Sequence, residues 1–200
     1  MADQLQKELQ EKTRRINQAL EHFIDNIPNP VPNLHEGLRY GLGLDQASSL
    51  QQGKRIRPAL ALEACESLGG DPQDAMPLAM AIELMHNFFL VHDDIEDGDA
   101  YRRGRPAIWK HFGLAHGVNI GDFFFTQVFA AFLSQRNRPY SPDLSLQLLH
   151  LLVDTLERTH IGQALDIEAR RRRDLQLDDY MEIVTNKTGY YLAAPIIGGA

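Results

Sequence analysis

Residues 90–107 carry the sequence Leu-Val-His-Asp-Asp-Ile-Glu-Asp-Gly-Asp-Ala-Tyr-Arg-Arg-Gly-Arg-Pro-Ala, in which a group of carboxylates is followed closely by arginines. The run that leads into it, residues 81–91, is apolar nearly all round and predicts a buried helix. On that helix Asp93 and Asp97 stand at positions i and i+4, about 5–6 Å apart on one face, with Asp94 rotated to the side. Because a bare carboxylate is very costly to bury, the sequence predicts a hard cation at this point.

The arginines that follow the acidic residues indicate which ligand such a cation would help to bind. Mg²⁺ takes one or two carboxylates and prefers phosphate oxygens for much of its remaining shell. Arg102 and Arg103 offer forked donors that match the geometry of a phosphate. The stretch therefore predicts a site for a Mg²⁺-chelated diphosphate or triphosphate. On spacing alone, a solvated acidic turn balanced by nearby basic residues explains it equally well.

A second basic cluster precedes the acidic stretch. Lys54, Arg55 and Arg57 place three cations within four residues. Pro58 follows at a position suited to the first turn of a helix, where its missing N–H costs nothing. We interpret the cluster as a phosphate-binding corner, with a solvated helix start as the simpler alternative.

Four motifs of this chain resemble those of the trans-isoprenyl diphosphate synthases of the polyprenyl synthetase family, and they occur in the order typical of that family. Within it, the resemblance is to the short-chain farnesyl and geranylgeranyl diphosphate synthases. The first aspartate-rich motif, written DDxxD followed by RRGxP, is matched by Asp93–Asp97 and Arg102–Pro106. The GKRxRP, GQxxD and KT motifs are matched by Gly53–Pro58 (with Gln52 where a second glycine is usual), Gly162–Asp166 and Lys187–Thr188. Together the motifs are far more specific than any one of them.

This resemblance implies a prenyltransferase that condenses isopentenyl diphosphate with an allylic diphosphate in a Mg²⁺-dependent, head-to-tail reaction, with Asp93 and Asp97 binding the metal. The catalytic residues it implies are Asp93, Asp94, Asp97, Arg102, Gln163 and Lys187. The substrate-binding residues it implies are Lys54, Arg55, Arg57, His86, Arg102, Arg103 and Thr188. His86 lies two helical turns before Asp93 on nearly the same face, although taken alone it resembles an ordinary core histidine.

Two phenylalanines are candidates for setting the length of the product. Phe88 and Phe89 precede Asp93 by five and four residues, so at least one ring lies about a turn below the acidic residues. By the length rule of the family, two bulky rings there imply a short product, C15 first and C20 next. The alternative is that both rings only pack in the core.

The periodicity of the chain predicts an all-α fold without strand alternation, and the resemblance implies an isoprenoid-synthase helical bundle around a central cavity. Helices are expected over 3–25, 34–42, 58–68, 71–97, 107–112, 115–135, 143–171 and 176–197. Asp71 and Ser141 are the expected N-caps of two of them, and Pro195 is an expected kink. Residues 98–106 are expected to form a loop that carries the arginines. The run Arg170–Arg173 is interpreted as solvated structure without a role in the site.

Composition favours one soluble domain over residues 1–200 and excludes several classes of protein. The hydrophobic content of 44% suffices for a sizeable core. A net charge of −7 without a broad basic face argues against a nucleic-acid partner. The single cysteine, Cys65, fits a reducing compartment, and neither a secretory segment nor a membrane-spanning run is present. We therefore expect a cytoplasmic protein, and the resemblance implies a homodimer.

One departure from the family pattern leaves alternatives open. The second aspartate-rich motif, expected downstream of Lys187, is absent from this sequence. We expect that C-terminal helices are missing and that this chain is the N-terminal two-thirds of a synthase, inactive alone. A naturally short, non-catalytic subunit that modulates a complete synthase is the alternative. A metal phosphohydrolase centred on His92-Asp93 leaves the other motifs unexplained, and terpene cyclases usually lack the basic corner.

Overall fold

Helices account for most of the regular structure in the computed structural model, which describes residues 2–28, 31–46, 53–134 and 139–200. The helices are α1 Ala2–Asp25, α2 Pro32–Leu42, α3 Ile56–Ser67, α4 Met76–Asp97, α5 Ile108–Phe112, α6 Leu114–Phe132, α7 Pro142–Ala169, α8 Leu177–Val184 and α9 Tyr190–Gly199. A short hairpin of β1 Tyr101–Arg102 and β2 Arg105–Pro106 follows α4. The predicted all-α class is confirmed. No helix in the described ranges is long and apolar enough to cross a membrane.

The helix α4 lies at the centre of the fold. It packs along α6 and also contacts α1, α3 and α9. Leu78, Leu84 and Met85 on α4 are fully buried, as is Phe124 on the facing side of α6. The expectation of a helix buried nearly all round is confirmed, so the acidic residues stand at the end of the most enclosed element of the fold.

Several predicted boundaries differ from the observed ones. The helix α4 begins at Met76 because residues 71–75 form a turn in which the Asp71 carboxylate accepts the Gln73 amide at 2.9 Å. The predicted cap at Ser141 is confirmed, since its hydroxyl accepts the Leu144 amide at 3.2 Å. Gln52 and the predicted helix end at residue 135 lie outside the described residues.

The segment expected to be a plain loop contains the two-stranded hairpin instead. Tyr101 pairs with Pro106 and Arg102 with Arg105. Arg103 and Gly104 form the turn between them, with φ values of 52° and 78°. The hairpin fixes the direction of the two adjacent arginines, because consecutive strand and turn residues point to different sides.

The predicted helix over 176–197 is interrupted. Residues Thr185–Gly189 form a π-helical turn between α8 and α9, and Pro195 lies inside α9. The turn packs against Gly162 of α7 so closely that a Cβ atom at Gly162 would lie 2.3 Å from the backbone nitrogen of Lys187. Because nothing larger than a glycine fits there, Gly162 sets how near Lys187 comes to α7.

A buried ion pair joins the start of α3 to the middle of α4. Arg55 lies 2.6 Å from Glu83, and their side chains are 0% and 3% exposed. Arg55 also donates to Asn17 of α1 at 2.8 Å and to the carbonyl of Leu42 at the end of α2. One guanidinium therefore connects four helices, and it orients the basic segment around it.

Removing Arg55 should destabilise the fold. In Arg55→Ala the carboxylate of Glu83 stays buried without its partner, and we expect a loss of about 3–5 kcal/mol in the free energy of unfolding. Urea denaturation followed by circular dichroism measures it. The neighbouring exposed residue provides the control, since Lys54→Ala should change that free energy by less than about 0.5 kcal/mol. Equal effects of the two substitutions would contradict the structural role of the pair.

Adding a methyl group at Gly162 should force α7 and the π-helical turn apart. We expect Gly162→Ala to lower the free energy of unfolding by about 1–3 kcal/mol, as overpacked sites do. Gly189 ends the same turn with a helical φ of −61°, and the nearest atom to a Cβ there is 3.8 Å away. Gly189→Ala should therefore be neutral or stabilise by about 0.4–1 kcal/mol. Similar losses for both variants in urea denaturation would show that close packing at Gly162 is not special.

Candidate active site

A cavity of about 350 Å³ lies between α4, α6, α7 and the π-helical turn. One part of its lining is polar and another is aromatic. The polar part includes Asp93, Glu96, Gln163, Lys187 and Thr188, and the aromatic part includes Phe88, Phe89, His160 and Tyr191. Four of these polar residues, Asp93, Gln163, Lys187 and Thr188, were expected from the sequence motifs, and they line the same cavity as the two phenylalanines that precede the acidic residues.

Asp93 is held at the cavity by groups from other elements. Its Oδ1 accepts the side-chain amide of Gln163 at 3.0 Å, and the same amide donates to Glu96 at 2.7 Å. The Lys187 ammonium and the Arg102 guanidinium each lie 3.8 Å from an oxygen of Asp93. The carboxylate is surrounded by donors and remains partly exposed to the cavity.

Asp94 faces away from that cavity and is 3% exposed. Arg102 donates two hydrogen bonds to its Oδ1, from Nε at 2.8 Å and from NH2 at 2.6 Å. Burial raises the pKa of Asp94 above its ordinary value, and the Arg102 contact opposes that shift. The sequence expectation placed Asp94 in the catalytic group, whereas the observed geometry uses it to hold Arg102 on the hairpin.

Asp97 pairs with an arginine that the sequence did not assign to the site. The Arg170 guanidinium at the end of α7 lies 2.6 Å from Asp97, and it also lies 3.4 Å from Asp166. Lys187 contacts the same oxygen of Asp166 at 2.7 Å, and both cations lower the pKa of Asp166. Arg170 is solvated as predicted, with 43% of its side chain exposed, but it also contacts two carboxylates of the sequence motifs. The sequence did contain one sign of this contact, because Arg170 follows Asp166 by four residues and so lies one helical turn away.

A second cavity, also about 350 Å³, lies at the start of α3. Its lining is mainly cationic and consists of Gly53, Lys54, Arg55, Ile56, Arg57, Glu83, His86 and Arg103. Gly53 has a φ of 85°, and a Cβ atom there would lie 2.7 Å from Arg103, so the missing side chain makes room for that guanidinium. Arg57 and His86 line both cavities. The basic corner and the acidic cavity therefore meet at these two residues.

Within the basic corner, two of the expected binding residues behave differently from the rest. Arg55 directs Nε, NH1 and NH2 to partners inside the protein, as described above. His86 is held neutral, because burial lowers the pKa of its ring to about 4 and the nearby Arg57 and Arg103 charges act in the same direction, against Glu83. A neutral imidazole and an inward arginine leave Lys54, Arg57 and Arg103 as the charged groups of the corner.

The aromatic part of the first cavity is a cluster that spans three helices, α4, α7 and α9. The ring centroid of Phe88 lies 4.8 Å from that of Phe89, and His160 of α7 lies 5.5 and 5.1 Å from the two rings. Tyr191 closes the group at 5.8 Å from Phe89. The sequence singled out the two phenylalanines but not His160, since a lone histidine two residues before a motif carries no signal of a cross-helix contact.

The donor set suits Mg²⁺ chemically, although no group of three or more acidic, histidine or cysteine side chains in the described ranges is arranged to hold a metal. Asp93 and Asp97 are both partly exposed. Two carboxylates are as many as Mg²⁺ usually takes when phosphate oxygens complete its shell. Lys187 and Arg170 place positive charge against these carboxylates. A buried oxygen of Gln163 has no hydrogen-bond partner among the described residues.

Comparison with known proteins places this site in a family. A family model described as polyprenyl synthetase matches residues 45–200. The short chain isoprenyl diphosphate synthase of Methanothermobacter thermautotrophicus is 40% identical over 148 residues, 74% of this chain and 44% of that protein. The farnesyl diphosphate synthase of Geobacillus stearothermophilus is 33% identical over 201 residues, 96% of this chain and 65% of that protein. The chain spans less than two thirds of the length of either relative.

A solved structure agrees with these relatives. The crystal structure of a geranylgeranyl pyrophosphate synthetase from Pyrococcus horikoshii matches with a TM-score of 0.86 at 32% identity, over 99% of this chain and 57% of that one. The family model covers more than half of the present chain and includes the acidic stretch, the arginine hairpin and the π-helical turn. The motif-based prediction is confirmed: the chain belongs to the polyprenyl synthetase family.

Proposed function

We propose that the protein acts as a short-chain trans-prenyltransferase, which condenses isopentenyl diphosphate with an allylic diphosphate. The observation that carries this proposal is the meeting of two cavities of equal volume at Arg57 and His86. One cavity joins carboxylates to an aromatic cluster and suits an allylic chain with a metal-bound diphosphate. The other is a cationic corner and suits the diphosphate of the second substrate. The relatives are named as enzymes of this kind.

In the first cavity, the protein would hold the allylic diphosphate and stabilise its departure. Mg²⁺ bound at Asp93 and Asp97 would supply positive charge to the diphosphate as the C–O bond breaks. Lys187 lies on the same cavity wall and would donate to the leaving diphosphate. Gln163 would hold Asp93 in its orientation through their 3.0 Å hydrogen bond. Arg102, fixed by the hairpin, would add charge close to Asp93.

In the second cavity, the cationic corner would position isopentenyl diphosphate. Lys54, Arg57 and Arg103 would supply the positive charge for its diphosphate. The neutral ring of His86 can donate one N–H bond without adding a further charge. We propose that Arg55 supports this corner instead of touching the substrate, because its donors serve the interior.

The coupling step then depends more on the positions of the two substrates than on further chemistry by protein side chains. The double bond of isopentenyl diphosphate attacks the allylic cation, a new C–C bond forms, and a proton is lost to the released diphosphate. Thr188 lines the cavity beside Lys187 and completes the polar wall. Holding both substrates across the Arg57–His86 boundary would convert their encounter into an effectively intramolecular step.

The aromatic cluster would set product length. Phe88 and Phe89 pack against His160, so aromatic rings from two helices line this part of the cavity. These bulky rings support a C15 product first and a C20 product next. The relatives include enzymes named as farnesyl and geranylgeranyl diphosphate synthases.

A modulatory, non-catalytic subunit is the second candidate function. Leu192, Ile196 and Ile197 on α9 are 43%, 46% and 63% exposed, an apolar surface that a complete synthase could cover. The homodimer and the cytoplasmic location stay predictions.

The proposed activity can be tested directly with isopentenyl diphosphate, Mg²⁺ and allylic C5, C10 or C15 diphosphates. With the whole source protein as the enzyme, we expect C15 or C20 products, and a loss of turnover on the order of 10²- to 10³-fold or more in Asp93→Asn. Asp99→Asn removes an exposed carboxylate of the same stretch and should retain activity. A chain that forms no product alone but changes the rate or product of a complete synthase would favour the modulatory subunit.

The neutral state of His86 has a consequence for stability. Its pKa of about 4 in the folded protein lies below the ordinary value of 6.5 for an unfolded chain. Between these values the unfolded chain binds more protons, so the free energy of unfolding should fall as pH drops from 6.5 toward 4, by up to a few kcal/mol.

The measurement is urea denaturation between pH 7 and pH 4.5 on the wild type and on His86→Asn. The variant lacks the titrating ring, so its stability should decline less steeply over this window. His150→Asn, at an exposed position on α7, controls for the loss of a histidine and should follow the wild type. Parallel curves for all three proteins would contradict a neutral, buried His86.

A further inference from the structure

Charges of alternating sign form a chain from the end of α4 to the π-helical turn. Asp97 contacts Arg170 at 2.6 Å, and Arg170 lies 3.4 Å from Asp166. Asp166 in turn contacts Lys187 at 2.7 Å, and Lys187 lies 3.8 Å from Asp93. Each end of the chain is one of the two carboxylates proposed above to bind Mg²⁺.

The contact between Arg170 and Asp97 is well suited to being broken and re-formed. Arg170 is the C-terminal cap of α7, and its side chain is 43% exposed. Ion pairs at such positions contribute little to stability, because solvent screens them and two long side chains must be ordered. A displaced Arg170 has a second carboxylate already within reach, since Asp166 lies 3.4 Å away.

A divalent cation and this guanidinium would compete for the same carboxylate. Arg170 lies 2.6 Å from Oδ1 of Asp97, so it occupies space beside the carboxylate that would hold the metal. A guanidinium that close to a divalent ion would be repelled by it, and the repulsion is strong at a few ångströms in a partly buried site. Both cations cannot hold their closest positions on Asp97 together.

We propose that Arg170 is the resident counterion of Asp97 in the metal-free protein and that it is displaced toward Asp166 when a divalent metal binds. This inference rests on the proposed function, because it assumes that Asp97 is a metal ligand. Arg170 is then a positioning residue that keeps the end of α4 neutralised before the metal arrives. In doing so it lowers the affinity of the site for the metal.

The test compares two substitutions that remove the same charge from the same segment. Arg170→Gln removes the guanidinium at Asp97, whereas Arg171→Gln removes an exposed neighbour that has no ion pair within the described part of the chain. Mn²⁺ serves as the probe, and its binding is followed by electron paramagnetic resonance on the whole chain. We expect Arg170→Gln to bind Mn²⁺ about two- to fivefold more tightly than Arg171→Gln, the range for an exposed ion pair.

Thermal unfolding provides a readout that does not depend on activity. Without metal, Arg170→Gln leaves Asp97 unpaired and should unfold at a lower temperature than Arg171→Gln. In saturating Mg²⁺ the metal supplies the missing charge, and this gap should close or reverse. A gap that is unchanged by Mg²⁺ would assign Arg170 a purely structural role and overturn the inference.

The outcomes separate this inference from the function on which it rests. Equal Mn²⁺ affinities of the two variants, with a wild type that binds Mn²⁺, would overturn the counterion role alone. Weaker binding by Arg170→Gln would also overturn it, since Arg170 would then assist the metal. A wild type that binds no Mn²⁺ would overturn the metal part of the proposed function and this inference with it.

Discussion

The structure depends on how negative charge is balanced at the end of α4. That helix is buried along most of its length, and its last turn presents Asp93, Asp94 and Asp97 together. None of the neutralising groups comes from α4 itself. Arg102 arrives on the hairpin and Arg170 at the end of α7, each at 2.6 Å from a carboxylate. The negative charge of this helix end is therefore balanced by side chains that the hairpin and α7 supply.

Close packing at two glycines also determines where the cations lie. Two of the cations reach their positions where a side chain is absent from the surface they approach. Gly53 leaves the space that the guanidinium of Arg103 fills, and Gly162 lets the π-helical turn bring Lys187 against α7. The extra residue of a π-helical turn re-aims the side chains within it, a device common at functional sites. Charge and close packing act on the same few residues.

The sequence predicted those parts of the site that follow from local spacing. The helical register of Asp93 and Asp97 and the buried character of α4 needed only neighbouring residues. The inward direction of Arg55 could not be predicted, because it depends on Glu83 and on a carbonyl at the end of α2. The pairing of Arg170 with Asp97 and the contact of His160 with the phenylalanines join separate helices, and periodicity within one helix carries no information about such pairs. The hairpin was missed because two-residue strands are too short to show alternation.

The boundary between the two cavities explains why one of its residues is uncharged. Arg57 and His86 line both spaces, and Arg57 lies with its guanidinium carbon 4.6 Å from the ring centroid of Tyr191. A further positive charge on His86, beside Arg57 and Arg103, would destabilise the corner when no anion is bound. Like charges repel most strongly where water is scarce. Burial and the surrounding arginines keep His86 neutral, so it can offer a hydrogen bond without that cost. The acidic cavity carries excess negative charge, and cations from other elements, such as Arg102 and Lys187, balance it. The acidic cavity is thus balanced by protein cations that an incoming metal would replace, whereas the basic corner keeps the charges of Lys54, Arg57 and Arg103 for an incoming diphosphate.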